Sequence, residues 1–215
     1  MENKVLVMTA VEAEKEAVLR GLRNDRRFDV VIAGVGPIAA AVNTMAALAS
    51  SRYDLVVSAG IGGGFAGKAP VGSVVIASEV IVADLGSQTP GGFIGMDELG
   101  FGTTRLQVES NISLKLVEAI RTAGLQVYYG PILTLSTTTG TAATASELSE
   151  RVQDAGAEAM EGYGVAAAAY RHSLPFVEIR TISNVIGPRD RASWRIGEAL
   201  AALEQTSIFL PEVTV

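Results

Sequence analysis

Asp29-Val30-Val31-Ile32-Ala33-Gly34-Val35-Gly36-Pro37 is a β-branched run that ends on a glycine turn, and an alanine-rich segment, Ile38 to Ser50, follows it. Runs of this kind bounded by turn residues read as strands. Proline is pre-organised for the first turn of a helix, so the stretch predicts strand, glycine turn, helix. The order recurs on both sides. Lys4 to Thr9 is an apolar strand, after which Val11 to Leu22 takes helical spacing with Glu12, Glu14, Lys15 and Glu16 at its start. Leu55-Val56-Val57-Ser58-Ala59 runs into a second glycine turn, Gly60-Ile61-Gly62-Gly63-Gly64. Strands that are apolar throughout, rather than alternating, predict a sheet covered on both faces.

Further along, the pattern predicts a strand over Gly72 to Ala83 and a long loop over Asp84 to Thr104. Beyond these come an amphipathic helix over Asn111 to Gly124 and a strand over Gln126 to Ser136. A helix over Ala145 to Gly156 turns Glu147, Glu150 and Arg151 to water. The last strand, Pro175 to Ser183, carries Glu178 and Arg180 among apolar Val177, Ile179 and Ile182, and a helix from Trp194 to Leu210 closes the chain. With no linker, low-complexity tract or repeat, alternating strands and helices predict one three-layer α/β/α domain over residues 1–215.

Composition narrows the chemistry. The 215 residues are 48% hydrophobic with mean hydropathy +0.33, yet no uninterrupted apolar run reaches the ~18 residues of a membrane span. Met1-Glu2-Asn3-Lys4 lacks the basic start and apolar segment of a secretory signal, so a cytoplasmic location is expected. With no cysteine and one histidine, His172, neither a thiolate nor a histidine-rich metal site is expected. No cofactor is expected either, and acid–base chemistry falls to carboxylates. A net charge of −6 argues against nucleic acid as a partner.

The glycine turns are not nucleotide fingerprints. Gly60 to Gly64 is followed by Phe65-Ala66-Gly67 rather than by a helix, and no Gly-Lys-Ser or Gly-Lys-Thr ends either turn. Gly34 and Gly36 read as tight turning; Gly60 to Gly64 reads as close backbone approach to a ligand, Gly62 and Gly63 included, since four glycines cost folding entropy. Glu161 heads an alanine-rich helix that must be buried. It either complements the dipole of that helix or is hydrogen-bonded by ligand hydroxyls, since a desolvated carboxylate needs partners. Glu12 and Glu14 lie at the carboxyl end of the first strand, where open α/β sheets gather ligand sites, or are solvated first-turn acids. Asn184 caps or turns the chain after the last strand, or reads an amide-like edge. His172 reads as a helix-end residue, and Arg189-Asp190-Arg191 as a loop whose arginine forks suit a carboxylate.

In this order the pieces resemble the nucleoside phosphorylase and nucleosidase superfamily, from Val5 to the last helix. They are most similar to its methylthioadenosine/S-adenosylhomocysteine nucleosidase branch. Thr9-Ala10-Val11-Glu12-Ala13-Glu14 matches the motif that ends in the water-activating glutamate, here Glu14; Gly34-Val35-Gly36 and Ala59 to Gly64 match the two glycine turns; Met160-Glu161 matches the ribose-binding pair. The resemblance implies a central mixed sheet of the phosphorylase/hydrolase kind. It also implies catalytic Glu14 and Asn184, with substrate contacts from Ile61, Gly62, Gly63, Met160 and Glu161 and, where the base-stacking loop lies, from Thr138 and Thr139. The arginines that hold phosphate in the phosphorylases have no counterpart at these turns, which implies water as the acceptor.

One position departs from that branch. Adenine-specific members carry an aspartate after the last strand, and here the pair is Ser183-Asn184. In superfamily members that act on 6-oxopurines an asparagine takes this place. Ser183 to Arg191, Asp84-Leu85-Gly86 and Met96 to Gly102 resemble the futalosine-hydrolysing group of the alternative menaquinone pathway. That resemblance implies release of hypoxanthine from futalosine; the alternatives are a methylthioadenosine/S-adenosylhomocysteine or aminodeoxyfutalosine nucleosidase, and a non-catalytic nucleoside-binding domain. It also implies a small-molecule purine nucleoside as substrate and a homodimer or larger homo-oligomer, with a neighbour's Asp84 to Thr104 segment capping the site. Arg189 and Arg191 are the candidates for the benzoate end of the substrate.

Overall fold

A computed structural model describes residues 3–214; Met1 and Glu2, at the head of the segment read as lacking a secretory signal, and Val215 lie outside it. Strands β1 (Val5–Thr9), β2 (Phe28–Ile32) and β3 (Leu55–Gly64) are parallel, with α1 (Glu12–Leu22) and α2 (Pro37–Ser50) between them. The predicted strand–turn–helix of residues 29–50 therefore stands, with Pro37 opening α2. Beyond them lie β4 (Val74–Val82), β5 (Gly86–Thr89), β6 (Gly92–Gly95), β7 (Arg105–Gln107) and α3 (Ser110–Thr122). β8 (Val127–Thr134), α4 (Ala142–Arg151), β9 (Ala157–Ala159), α5 (Gly162–Arg171) and β10 (Phe176–Val185) follow, and α6 (Ile196–Ser207) and α7 (Leu210–Val213) complete the order.

The central sheet is mixed, in the order β10-β4-β8-β9-β3-β1-β2, with β7 pairing to β4. β10 also pairs with β3, so the middle of the sheet closes on itself. Alternation along β1 explains the layers. Val5 and Val7 join Ala17, Val18, Leu116 and Leu203 in a core under α1, α3 and α6. Leu6 and Met8 point the other way, into a core with Ala40, Val165 and Ala169 of α2 and α5. Burial of both faces removes any alternating signal, which is why these strands read as continuous apolar runs.

Four expectations need correction. Gly60 to Gly64 is not a turn but the second half of β3, paired with β9 and β10. The predicted loop over Asp84 to Thr104 contains the β5–β6 hairpin, whose short polar strands carry too few apolar residues to be read as such. The last helix starts at Ile196 rather than Trp194, after a 3-10 turn at Arg191–Ser193, and breaks before α7. Arg151 is not turned wholly to water: it ends α4 and donates from Nη1 to the Ala83 carbonyl at 3.0 Å. Among the described residues no helix is long and apolar enough to cross a membrane.

Candidate active site

Ile61, Gly62 and Gly63 of β3 line the site. A methyl group on Gly60 would stand 2.6 Å from Glu14 Oε1 and 2.8 Å from Arg180 Nη1, so only a glycine lets both charges reach the strand. Glu14 occupies the third position of α1, reaching back to accept from the backbone N–H of Ala10 at 2.7 Å and of Val11 at 3.3 Å through Oε2. Its Oε1 accepts from Ile61 N at 2.8 Å. The half-capping box and the site carboxylate are thus one group. Burial raises its pKa above the ordinary 4.5, against the pull of Arg180 and these N–H donors.

Arg180 is the hub that the sequence reading left without a role. It is 1% exposed and donates to Glu178 Oε1 at 2.9 Å, to Ser58 Oγ at 2.9 Å and to Glu161 Oε2 at 3.2 Å. Burial opposes its charge, but Glu178, Glu161 and Glu14 together hold its pKa above the usual range. Glu178, two residues back on the same face of β10, is fully buried, with its pKa raised by desolvation against Arg180. Glu161 is the N-cap of α5, and the N–H groups of Gly36 and Met160 also donate to it, at 3.2 and 3.3 Å. The buried-carboxylate argument for Glu161 therefore holds, but protein groups supply the partners. The sequence carries the signal, two opposite charges, i and i+2, inside an otherwise apolar strand, but not the partners that give it a role.

Asn184 lies within β10, not beyond it. The register slips between Ile182, opposite Gly62, and Asn184, opposite Gly63, leaving Ser183 as the extra residue of a bulge. Bulges re-aim side chains beside functional sites. The Ser183 hydroxyl donates to Asn184 Oδ1 at 2.9 Å, and Asn184 Nδ2 donates to the Val185 carbonyl at 3.2 Å. Across Gly63 stands Glu158, a second residue that sequence reading passed over. It is 6% exposed, its Oε1 accepts from Thr139 N at 2.8 Å, and its Oε2 accepts from the Thr139 hydroxyl. Burial raises its pKa against those two bonds. The desolvation reasoning applied to Glu161 would have found it, between Ala157 and Ala159.

Glu14, Glu158, Glu161 and Asn184 line one cleft of about 330 Å³, whereas Arg180 and Glu178, buried in β10, are not among its lining residues. The residues that the resemblance implied as catalytic or as contacts of the ribose and base lie in the cleft, namely Glu14, Ile61, Gly62, Gly63, Thr138, Thr139, Met160, Glu161 and Asn184, joined by Glu158, Ser183 and Trp194. Four candidates stand apart. Glu12 is exposed on α1, and His172 is the exposed C-cap of α5, as its reading predicted. Arg189 and Arg191 are exposed loop residues that flank Trp194 with their guanidinium carbons 5.2 and 5.9 Å from its ring centre; Arg189 also donates to Thr138 Oγ1 at 3.3 Å. Among the described residues no cluster of three or more acidic, histidine or cysteine side chains is disposed to hold a metal.

A mixed α/β sheet with a carboxylate-lined cleft at its strand ends defines the phosphorylase class of fold, and the model of the Phosphorylase superfamily matches residues 11–212; the chain belongs to that superfamily. Within it the chain falls with the futalosine hydrolases. It is 48% identical to futalosine hydrolase of Streptomyces coelicolor, over 93% of this chain and 91% of that one. It is 44% identical to that of Acidothermus cellulolyticus, over 95% and 88%. The native structure of futalosine hydrolase of Helicobacter pylori superposes with a TM-score of 0.81 at 15% identity, covering 99% of this chain and 97% of that one.

Proposed function

We propose that this chain is a purine nucleosidase that hydrolyses the N-glycosidic bond of futalosine to hypoxanthine and dehypoxanthine futalosine, a step of the futalosine route to menaquinone. The observation that carries the reading is the arrangement of Glu14 and Glu161 around Arg180 in a cleft that also holds Asn184. Cleavage of a nucleoside builds oxocarbenium character on the sugar while the base departs. Glu161 binds the ribose hydroxyls and stabilises that positive charge, with Met160 lining the sugar. Glu14, ionised, takes a proton from the water that attacks C1′; the C1′–N9 bond breaks as the new C1′–O bond forms.

The electron pair of the broken bond goes to the purine, where an Asn184 N–H stabilises the developing negative charge. Hypoxanthine leaves more readily than adenine, so an amide serves where adenine-specific relatives carry an acid. Gly62 and Gly63 let the nucleoside approach the strand, and Thr138 and Thr139 border the base. Arg189 or Arg191, at the rim beside Trp194, holds the benzoate carboxylate. The whole chain acts as one domain without cofactor, in the cytoplasm.

We further infer a homo-oligomer. Ile38, Val42 and Met45 form an exposed apolar stripe at helical spacing along α2, continued at its head by exposed Val35 of the cleft, and Phe101 is 76% exposed in the segment expected to cap a neighbour's site. The decisive assay incubates purified protein with futalosine and follows free hypoxanthine, with inosine and methylthioadenosine as competitors. Release of hypoxanthine supports the reading; release of adenine from methylthioadenosine alone, or binding without release, rejects it.

A further inference from the structure

Phe176, Glu178, Arg180 and Ile182 share one face of β10, and the two apolar ones lie in the core under α2 and α5. Glu178 is a carboxylate set into that core, 0% exposed and outside the cleft. The chain makes room for it: a methyl group on Gly162, the first residue of α5, would collide with both of its oxygens. Its Oε1 accepts from Arg180 Nε at 2.9 Å, and its Oε2 meets no partner among the described residues. A proton on Oε2 would therefore have no acceptor, whereas Arg180 and the N-terminus of α5 both favour the ionised form. Burial works against that charge, so a carboxylate kept there needs a reason beyond packing.

The guanidinium of Arg180 is held on three sides, by Glu178 at Nε, Ser58 Oγ at Nη2 and Glu161 Oε2 at Nη1. Nη1 also lies beside Glu14: it and Glu14 Oε1 would stand 2.8 and 2.6 Å from a methyl group on Gly60. One cation thus sits between the carboxylate that takes the proton and the one that binds the sugar. Unopposed, a buried cation there would stabilise ionised Glu14 and make it a poor base. We propose that Glu178 is a positioning residue that acts through Arg180: it fixes the guanidinium and offsets its charge, so that Glu14 keeps the basicity that activation of water requires. Arg180 and Glu161 are the charges that face Glu14, and the same two face Glu178. α2 and β3 carry no charged residue, and α5 carries, beyond its N-cap Glu161, only Arg171, exposed at its far end. The one acid of β4, Glu79, pairs with Arg105 instead. No acid on these elements can take the place of Glu178. The inference rests on the reading of Glu14 as the base, and it adds the residue that keeps it one.

Glu178→Gln keeps an oxygen for Arg180 Nε and removes the charge. The acid limb of its kcat/KM profile on futalosine should move to lower pH by roughly one unit, because the pull of Arg180 on Glu14 is then less opposed. Its kcat at the plateau should fall about three- to tenfold, since a weaker base takes the proton less readily. Glu178→Asp, which keeps the charge, should return the limb toward its wild-type position. A limb that stays in place or moves to higher pH in Glu178→Gln, with loss only in Tm, would make Glu178 structural and overturn the proposal. An equal shift in both variants would place the effect in shape rather than charge and overturn it as well. Should Glu178→Gln not fold, carbon-13 spectra of wild-type protein labelled at its glutamate carboxyls, assigned through backbone couplings, still decide: Glu178 ionised at the pH of full activity supports the offset, and Glu178 protonated there overturns it. Glu14→Gln tests the underlying reading: turnover lost in that variant, with an unmoved limb in Glu178→Gln, rejects only the role of Glu178.

Discussion

Nη1 of Arg180 meets Oε2 of Glu161 at 3.2 Å, joining the middle of β10 to the N-cap of α5 where both side chains are buried. The same guanidinium holds Glu178 through Nε at 2.9 Å, so one cation serves two carboxylates away from solvent.

Arg180→Leu therefore leaves Glu161 and Glu178 buried without a counter-charge. Breaking a buried pair this way costs about 3–5 kcal/mol, or roughly 6–20 °C in Tm for a chain of this size. Calorimetry should show that loss. An unchanged Tm would mean that the cluster contributes nothing to folding.

Glu14→Gln should keep substrate binding and lower kcat by about 10² or more, the range of a positioned general base. The raised pKa of Glu14 fixes the sign of the pH dependence. The base acts when ionised, burial keeps it protonated to higher pH, and activity should therefore rise with pH through an apparent pKa above 4.5. The kcat/KM profile measures this directly, and an acid limb at or below 4.5 would separate Glu14 from the proton transfer. The stability sign is opposite: the contribution of Glu14 is present below 4.5 and is lost as pH rises through the raised value.

Asn184→Asp exchanges the amide donor for a carboxylate at the bulge. Selectivity should move from hypoxanthine toward adenine nucleosides, read as the ratio of kcat/KM for futalosine and its 6-amino counterpart. An unchanged ratio would remove Asn184 from base recognition.

Arg189→Ala and Arg191→Ala test the far end of the substrate. If either guanidinium holds the benzoate, KM for futalosine should rise by about tenfold or more while hydrolysis of inosine, which has no benzoate, stays as it was. Equal losses on both substrates would instead assign Arg189 to bracing Thr138, which it meets at 3.3 Å.

Ile38, 81% exposed in the stripe on α2, is the position at which to test assembly. Ile38→Glu should shift the mass in sedimentation toward the monomer and raise KM, since Val35 of the cleft continues the stripe at its head. A wild-type chain that is monomeric at assay concentration would reject the oligomer.

The sequence by itself determined the layered α/β class, because apolar runs followed by glycine or proline turns and alanine-rich helices leave a covered sheet as the way to bury both faces of each strand. It also singled out Glu14, Glu161 and Asn184 as polar groups beside apolar runs, and the resemblance to the nucleosidase branch implied their roles. Only the tertiary structure decided what those groups meet. Arg180 and Glu178 sit inside a strand whose neighbours hide them, and their partners come from β3 and the N-cap of α5, many residues away. The glycines of β3 read as a turn because glycine disfavours strands; in the sheet they leave room for Glu14 and Arg180 at Gly60, for the Glu158 carbonyl at Gly62 and for Ile186 at Gly63. Closure of the sheet through β10 and β3, and the bulge at Ser183 that aims Asn184, arise from strand pairing, which no local pattern of residues encodes.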